Sequence, residues 1–211
     1  LFEKLMANAQ VNKDTYKNLS ADIIKARKDA KLNQAQNFNR LVNYGIWGAK
    51  SPATNLLSEA ELLAMDPQEL INRIHQQNSY EHRILYYGPS GEKELLATIN
   101  KLHNAPRKLT KIVPNDQFKM QLTDQTKVFI APYEAKQIYM SQISNRGEKF
   151  DPSMEPVLNL YNEYFGGGMN SIVFQEMRES RGLAYSANAR IIQPSYLKYP
   201  YMFRTQIATQ N

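Results

Sequence analysis

The spacing of apolar residues changes along this chain. It is helical through the first half, lapses across residues 104–123, and returns as a mixture of helical spacing and strict alternation. From Asp14 to about Gly48, Tyr16, Leu19, Ile23, Ile24 and Ala26 recur at three and four positions, followed by Phe38, Leu41 and Val42, a pattern that predicts two helices. Ser58-Glu59-Ala60-Glu61 and Asp66-Pro67-Gln68-Glu69 each set a capping side chain three residues before a carboxylate, so two more helices are expected there. Arg83 to Tyr87, closed by Gly88-Pro89, reads as a buried strand, and helical spacing resumes from Glu92 to His103. Beyond the aperiodic stretch, Lys127–Ala131, Gln137–Ile143, Leu183–Ile192 and Tyr199–Ala208 read as strands, with helices over Met154–Phe165 and Asn170–Glu179. The fold class is therefore α+β, with a first part that is mostly helical.

Composition limits what such a fold can do. The 211 residues are 42% apolar, enough for a core, and no apolar run approaches the roughly 18 residues that a bilayer-spanning helix needs. With no cysteine there is no disulfide, thiolate metal site or thiol nucleophile. The net charge of +6 would suit a polyanion, but Lys and Arg are scattered and Lys25-Ala26-Arg27-Lys28 is their densest cluster, so nucleic acid is not the expected partner. The sequence opens on Leu1-Phe2-Glu3-Lys4-Leu5-Met6, which has no initiator Met and no signal-peptide pattern, and it reads as a segment of a longer protein.

Familiar catalytic motifs are absent. A helical zinc peptidase site needs two histidines four apart with a Glu beside one of them to activate water. Of His75, His82 and His103, only Glu81-His82 offers half of an inverted version, and the partner position is Asn78. No Gly-x-Ser-x-Gly elbow or Walker loop occurs. Gly166-Gly167-Gly168 has no following Gly-Lys-Ser or Gly-Lys-Thr, so its simplest reading is a mobile connector.

One cluster, from Tyr164 to Ser186, stands apart. Asn170 is placed to cap a short helix, Gly182 to end it in the left-handed conformation, and Leu183, Tyr185, Ala187 and Ala189 to share one face of the strand that follows. Arg178 then sits near the helix end and Tyr185 early in the strand. A permanent cation and a hydroxyl donor brought together across one turn suit a polarised carbonyl or a developing oxyanion. The plainer alternative has Arg178 neutralising the helix C-terminus and Tyr185 packing as a core aromatic.

At these residues the sequence resembles the pitrilysin and insulinase family of inverted-motif zinc metallopeptidases. The glycine run, the amphipathic helix, Arg178, and Gly182-Leu183-Ala184-Tyr185-Ser186 look like the part of the family's C-terminal half that carries its substrate-binding Arg and Tyr. Leu41-Val42-Asn43-Tyr44-Gly45 and His82-Arg83-Ile84-Leu85-Tyr86-Tyr87-Gly88-Pro89 are similar to bacterial members. The resemblance implies two partial domains of a clamshell repeat, each an antiparallel or mixed sheet packed by helices. Residues 1–105 would be the C-terminal part of one α+β domain, 106–122 a linker, and 123–211 the N-terminal part of the next.

It further implies that Arg178 and Tyr185 contact the substrate carbonyl and oxyanion, while Gly166, Gly167 and Gly168 border the cleft. No cofactor is expected in this chain. Zinc would belong to the N-terminal half of the parent protein, and the partners would be a peptide substrate and that zinc-bearing half, in the same or another chain. The chain alone would be inert. The other reading is a noncatalytic structural or assembly paralogue of the same fold. The sequence leaves the compartment open, and likeness to bacterial members points to the periplasm.

Overall fold

The computed structural model describes residues 2–113 and 118–210. The helical first half comprises α1 (Phe2–Ala7), α2 (Lys13–Lys31), α3 (Gln34–Trp47), α4 (Glu59–Ala64), α5 (Pro67–Gln76) and α6 (Glu92–Leu102). Three of these helices, α3, α4 and α5, begin where the capping chemistry lies. The Asn33 side chain accepts the Gln36 N–H at 3.0 Å to start α3, and Asp66 accepts the Gln68 N–H at 3.0 Å to start α5. At α4 the cap is reciprocal: Ser58 Oγ accepts the Glu61 N–H at 3.2 Å, and the Glu61 carboxylate accepts the Ser58 N–H at 2.8 Å.

Two compact units result. One holds the described residues of Leu1–Arg27 and Leu57–Asp116, the other those of Lys28–Leu56 and Gln117–Asn211. In the first, α1 packs on α5, the Tyr16 hydroxyl donates to Leu62 O at 2.6 Å, and Arg27 donates to Leu57 O at 2.7 Å. This division differs from the sequential one expected at 106–122, because α3 joins the second unit. Its apolar face explains why. Val42 and Ile46 on α3 are buried with Met202, and Phe38, Trp47, Met120, Ile143 and Ile192 pack around them. Within the expected linker, Thr110 bridges to Tyr80 in the first unit, Gln121 donates its N–H to Ile46 O at 2.8 Å in the second, and Pro114 lies outside the described residues.

The second unit is built on an antiparallel sheet of β1 (Ile138–Ser144), β2 (Ser186–Ile192) and β3 (Met202–Thr209) in the order β1-β3-β2. The register sets the two faces. Tyr139, Ile143, Met202 and Ile192 fall on one side, where α3 lies, and Ala187, Ala189 and Phe203 fall on the other. That second face is covered by α7 (Glu155–Asn162) and α8 (Ile172–Phe174), each of which runs on into a wider π-helical turn, Glu163–Gly167 and Gln175–Ser180 respectively. Asn162 anchors this layer: its amide donates to Ile191 O at 2.9 Å and accepts the Ile191 N–H at 2.7 Å, imitating a neighbouring strand.

Several local expectations are corrected. Arg83–Tyr87 forms no strand and is exposed, with Leu85 at 92% and Tyr87 at 105%, and Lys127–Ala131 is likewise irregular with Ile130 at 84%. Apolar β-formers mark a segment that could pair, but a strand also needs an edge to pair with, and among the described residues neither segment meets one. Ser171, not Asn170, caps α8 by accepting the Phe174 N–H. The second strand begins at Ser186, not at Leu183.

Candidate functional site

Gly166 fixes how closely the helical layer approaches β2. A Cβ there would stand 2.1 Å from Ala189 O and 2.5 Å from Ala189 N, and one at Gly167 would stand 2.7 Å from Asn162 O. Only a hydrogen fits at Gly166, and Ala189 beneath it is fully buried. The first two glycines thus serve close packing, which corrects the mobile-connector reading. Gly168 has only Glu163 Oε2 within reach, at 4.0 Å, and both Gly167 and Gly168 are exposed. The Gln175 amide donates to Met169 O at 2.6 Å, tying the end of the glycine run to the turn that carries Arg178.

That turn ends at Gly182, whose φ of +59° lies in the left-handed region. Gly182 donates its N–H to Arg178 O at 3.1 Å and Leu183 donates to Met177 O at 2.9 Å, so the chain reverses within a few residues and enters the sheet. Here the alternation slips. Ala184 and Ala187 are both buried although they are three positions apart, an odd spacing that a regular strand cannot give. The extra position falls at Tyr185–Ser186: the Tyr185 N–H donates to Ala208 O at 2.9 Å, and Ser186 is also the register partner of Ala208. A bulge-like insertion of this kind re-aims a side chain. Tyr185 is therefore 71% exposed and does not share the buried face of Ala187 and Ala189, and Leu183, at 42%, does not either.

The slip leaves Tyr185 beside Arg178. The Arg178 guanidinium carbon lies 5.7 Å from the centre of the Tyr185 ring and 5.0 Å from that of Phe174, both within cation–π reach. Its ion pair with Glu179 is long, at 3.6 Å, and about half of each side chain is exposed. The Tyr185 hydroxyl meets no hydrogen-bond partner among the described residues. Two aromatic faces thus hold the guanidinium while hydrogen-bond donors of both side chains remain open to solvent. Sequence reasoning missed Phe174 as the third member, although its position four residues before Arg178 was the available signal.

The carboxylates nearest this pair along the chain are already engaged by arginines. Glu176 is engaged by Arg181 at 3.3 Å, Glu179 by Arg178, and no histidine occurs between Ile172 and Ile192. Among the described residues no group of three or more His, Asp or Glu side chains is arranged to hold a metal ion.

A three-stranded antiparallel sheet between helical layers defines an α+β domain. The chain belongs to the M16 peptidase family: the family model described as "Peptidase M16 inactive domain" matches residues 83–211. No curated protein matches it. Among solved structures it is similar to the peptidase M16 inactive domain from Pseudomonas fluorescens, with a TM-score of 0.67 and 15% identity over 99% of this chain and 50% of that one. A protease from Helicobacter pylori gives a TM-score of 0.67 and 14% identity over 97% of this chain and 49% of the other. At such identities the likeness is one of fold, and the chain spans about half the length of each of these structures.

Proposed function

We propose that this chain is a substrate-gripping portion of an M16-type endopeptidase, in which Arg178 and Tyr185 bind the peptide at the scissile carbonyl. The observation that carries the reading is the pairing of Arg178 with an exposed Tyr185 whose hydroxyl is unpartnered among the described residues. A core aromatic would be buried with its hydroxyl satisfied, and a bulge that turns it outward has no packing benefit.

The chemistry follows from the donor types. Arg178 supplies a permanent positive charge on a rigid planar fork, and Tyr185 a neutral O–H donor. When a carbonyl carbon becomes tetrahedral its oxygen gains charge, and donors already aimed at that position stabilise the transition state more than the ground state. Phe174 holds the guanidinium, so little rearrangement is required at the moment of reaction. The exposed Gly167 and Gly168 allow a peptide backbone to pass close to the same surface. The attacking water and its zinc belong to another part of the enzyme, as the family likeness implies.

The test is reconstitution. The chain alone should not hydrolyse unfolded peptides, whereas the parent protein carrying a His-x-x-Glu-His segment should, in a chelator-sensitive manner. A parent without that segment, and without a partner that supplies it, would instead make this an assembly subunit.

A further inference from the structure

His82 and His103, 21 positions apart, approach each other through their Nε2 atoms at 2.9 Å, with ring planes inclined by 76°. Their other ring nitrogens are both occupied. His82 Nδ1 lies 2.6 Å from Tyr80 O, and His103 Nδ1 lies 2.6 Å from Glu3 Oε1. A backbone carbonyl and an ionised carboxylate only accept hydrogen bonds, so each Nδ1 carries the hydrogen and donates it. When both rings are neutral each presents a bare lone pair at Nε2, and at 2.9 Å the two lone pairs repel unless a proton or a metal cation lies between them.

The carboxylate in this arrangement is itself held. Glu3 Oε2 accepts the Asn104 N–H at 3.1 Å. The hydrogen bond from His103, followed by that from Asn104, lowers the Glu3 carboxyl below its ordinary range and keeps it ionised. Imidazoles that ligate metals are oriented in this way, with the non-ligating N–H given to a carboxylate or a backbone carbonyl that fixes the tautomer and raises the basicity of the ligating nitrogen.

We propose that His82 and His103 form a two-imidazole site for a divalent transition cation of the zinc class. Both Nε2 atoms would be ligands, Glu3 and the Tyr80 carbonyl the orienting partners, and water would fill the remaining positions. Two imidazole nitrogens on one tetrahedral zinc, at about 2.0–2.1 Å each, stand roughly 3.3 Å apart, so the rings need to part by only a few tenths of an ångström. Access is open, since His82 is exposed and the His103 side chain retains 19% of its surface. The site is separate from the proposed peptide contact, lying in the first unit with Arg178 and Tyr185 in the second. It would clamp α1, the Tyr80–His82 segment and the end of α6 together. No motif reveals it, because Glu3 is 100 positions from His103.

The test titrates Zn²⁺ into the tag-free, chelator-treated 211-residue chain by calorimetry. One ion should bind per chain in the micromolar range, with a rise in the melting temperature. His82→Ala and His103→Ala should each weaken binding at least tenfold, and Glu3→Gln, a positioning change, roughly 10- to 100-fold. His75→Ala should leave it unchanged, because His75 Nε2 is engaged with Ala9 O at 3.1 Å. To guard against variants that fail to fold, Cu²⁺ bound to the unaltered chain should show hyperfine coupling to two imidazole nitrogens. Absence of saturable zinc binding, as when only a proton is shared, would overturn the proposal. So would affinity that survives His82→Ala with His103→Ala, or a copper signal with fewer than two nitrogens.

Discussion

Arg178 and Tyr185 meet at 5.7 Å because the left-handed Gly182 reverses the chain and the slip at Tyr185–Ser186 turns the ring out of the sheet's buried face. Both devices are local. The surface on which the pair stands, however, is held in place by contacts further back in the chain, and these can be tested separately.

Gly166→Ala should destabilise the second unit by about 1–3 kcal/mol or more, since the added carbon meets the backbone of Ala189, which cannot rotate away. Gly168→Ala should be neutral or stabilising by up to about 1 kcal/mol, because its new carbon has open space and the unfolded chain loses freedom. Urea unfolding of the two variants side by side measures the contrast.

Asn162→Ala removes both hydrogen bonds to the Ile191 backbone and leaves a part-buried donor and acceptor unpaired, at an expected cost of about 1–3 kcal/mol. Hydrogen exchange at the Ile191 amide should accelerate more than exchange at amides in the centre of β3. Equal acceleration throughout the sheet would mean that Asn162 acts on the whole unit and not on this edge.

The Glu61 carboxyl is held below its ordinary range by the Ser58 N–H and then by the Ser58 hydroxyl. A folded value below the unfolded one contributes stability above the unfolded pKa of about 4.3, and that contribution is lost as the pH falls through the folded value. Wild type should therefore be more stable than Glu61→Gln at neutral pH. Thermal melts should show the difference closing below about pH 4, where the unfolded carboxyl is already protonated.

Apart from α1, for which no signal was read, the helices were legible in the sequence because their signals are short-range: Ser58 with Glu61, Asp66 with Pro67, and the three- and four-residue spacing of α2 and α3 all act within a turn or two. The α+β class was legible for the same reason. Arg83–Tyr87 and Lys127–Ala131 were misread because pairing depends on a remote edge, which a run of β-formers does not report. The site was half legible. Arg178, Gly182 and Tyr185 fall on one reversing segment and could be placed together, whereas Tyr185 was assigned to the wrong face because alternation cannot register an inserted residue. The fit of Gly166 against Ala189 joins positions 23 apart, and no local pattern encodes it.

The most direct test of the account is steady-state kinetics of Tyr185→Phe in the intact, zinc-loaded parent enzyme, with Arg178→Lys alongside. Tyr185→Phe preserves the ring that stacks near Arg178 and removes one donor, so kcat and kcat/KM should fall together by roughly 10²-fold or more, about 2.7 kcal/mol or above. Arg178→Lys should also be damaging, since an ammonium cannot reproduce the planar fork. A change confined to KM would place the contact in ground-state binding alone, and full activity of both folded variants across several peptides would contradict the role assigned to this pair.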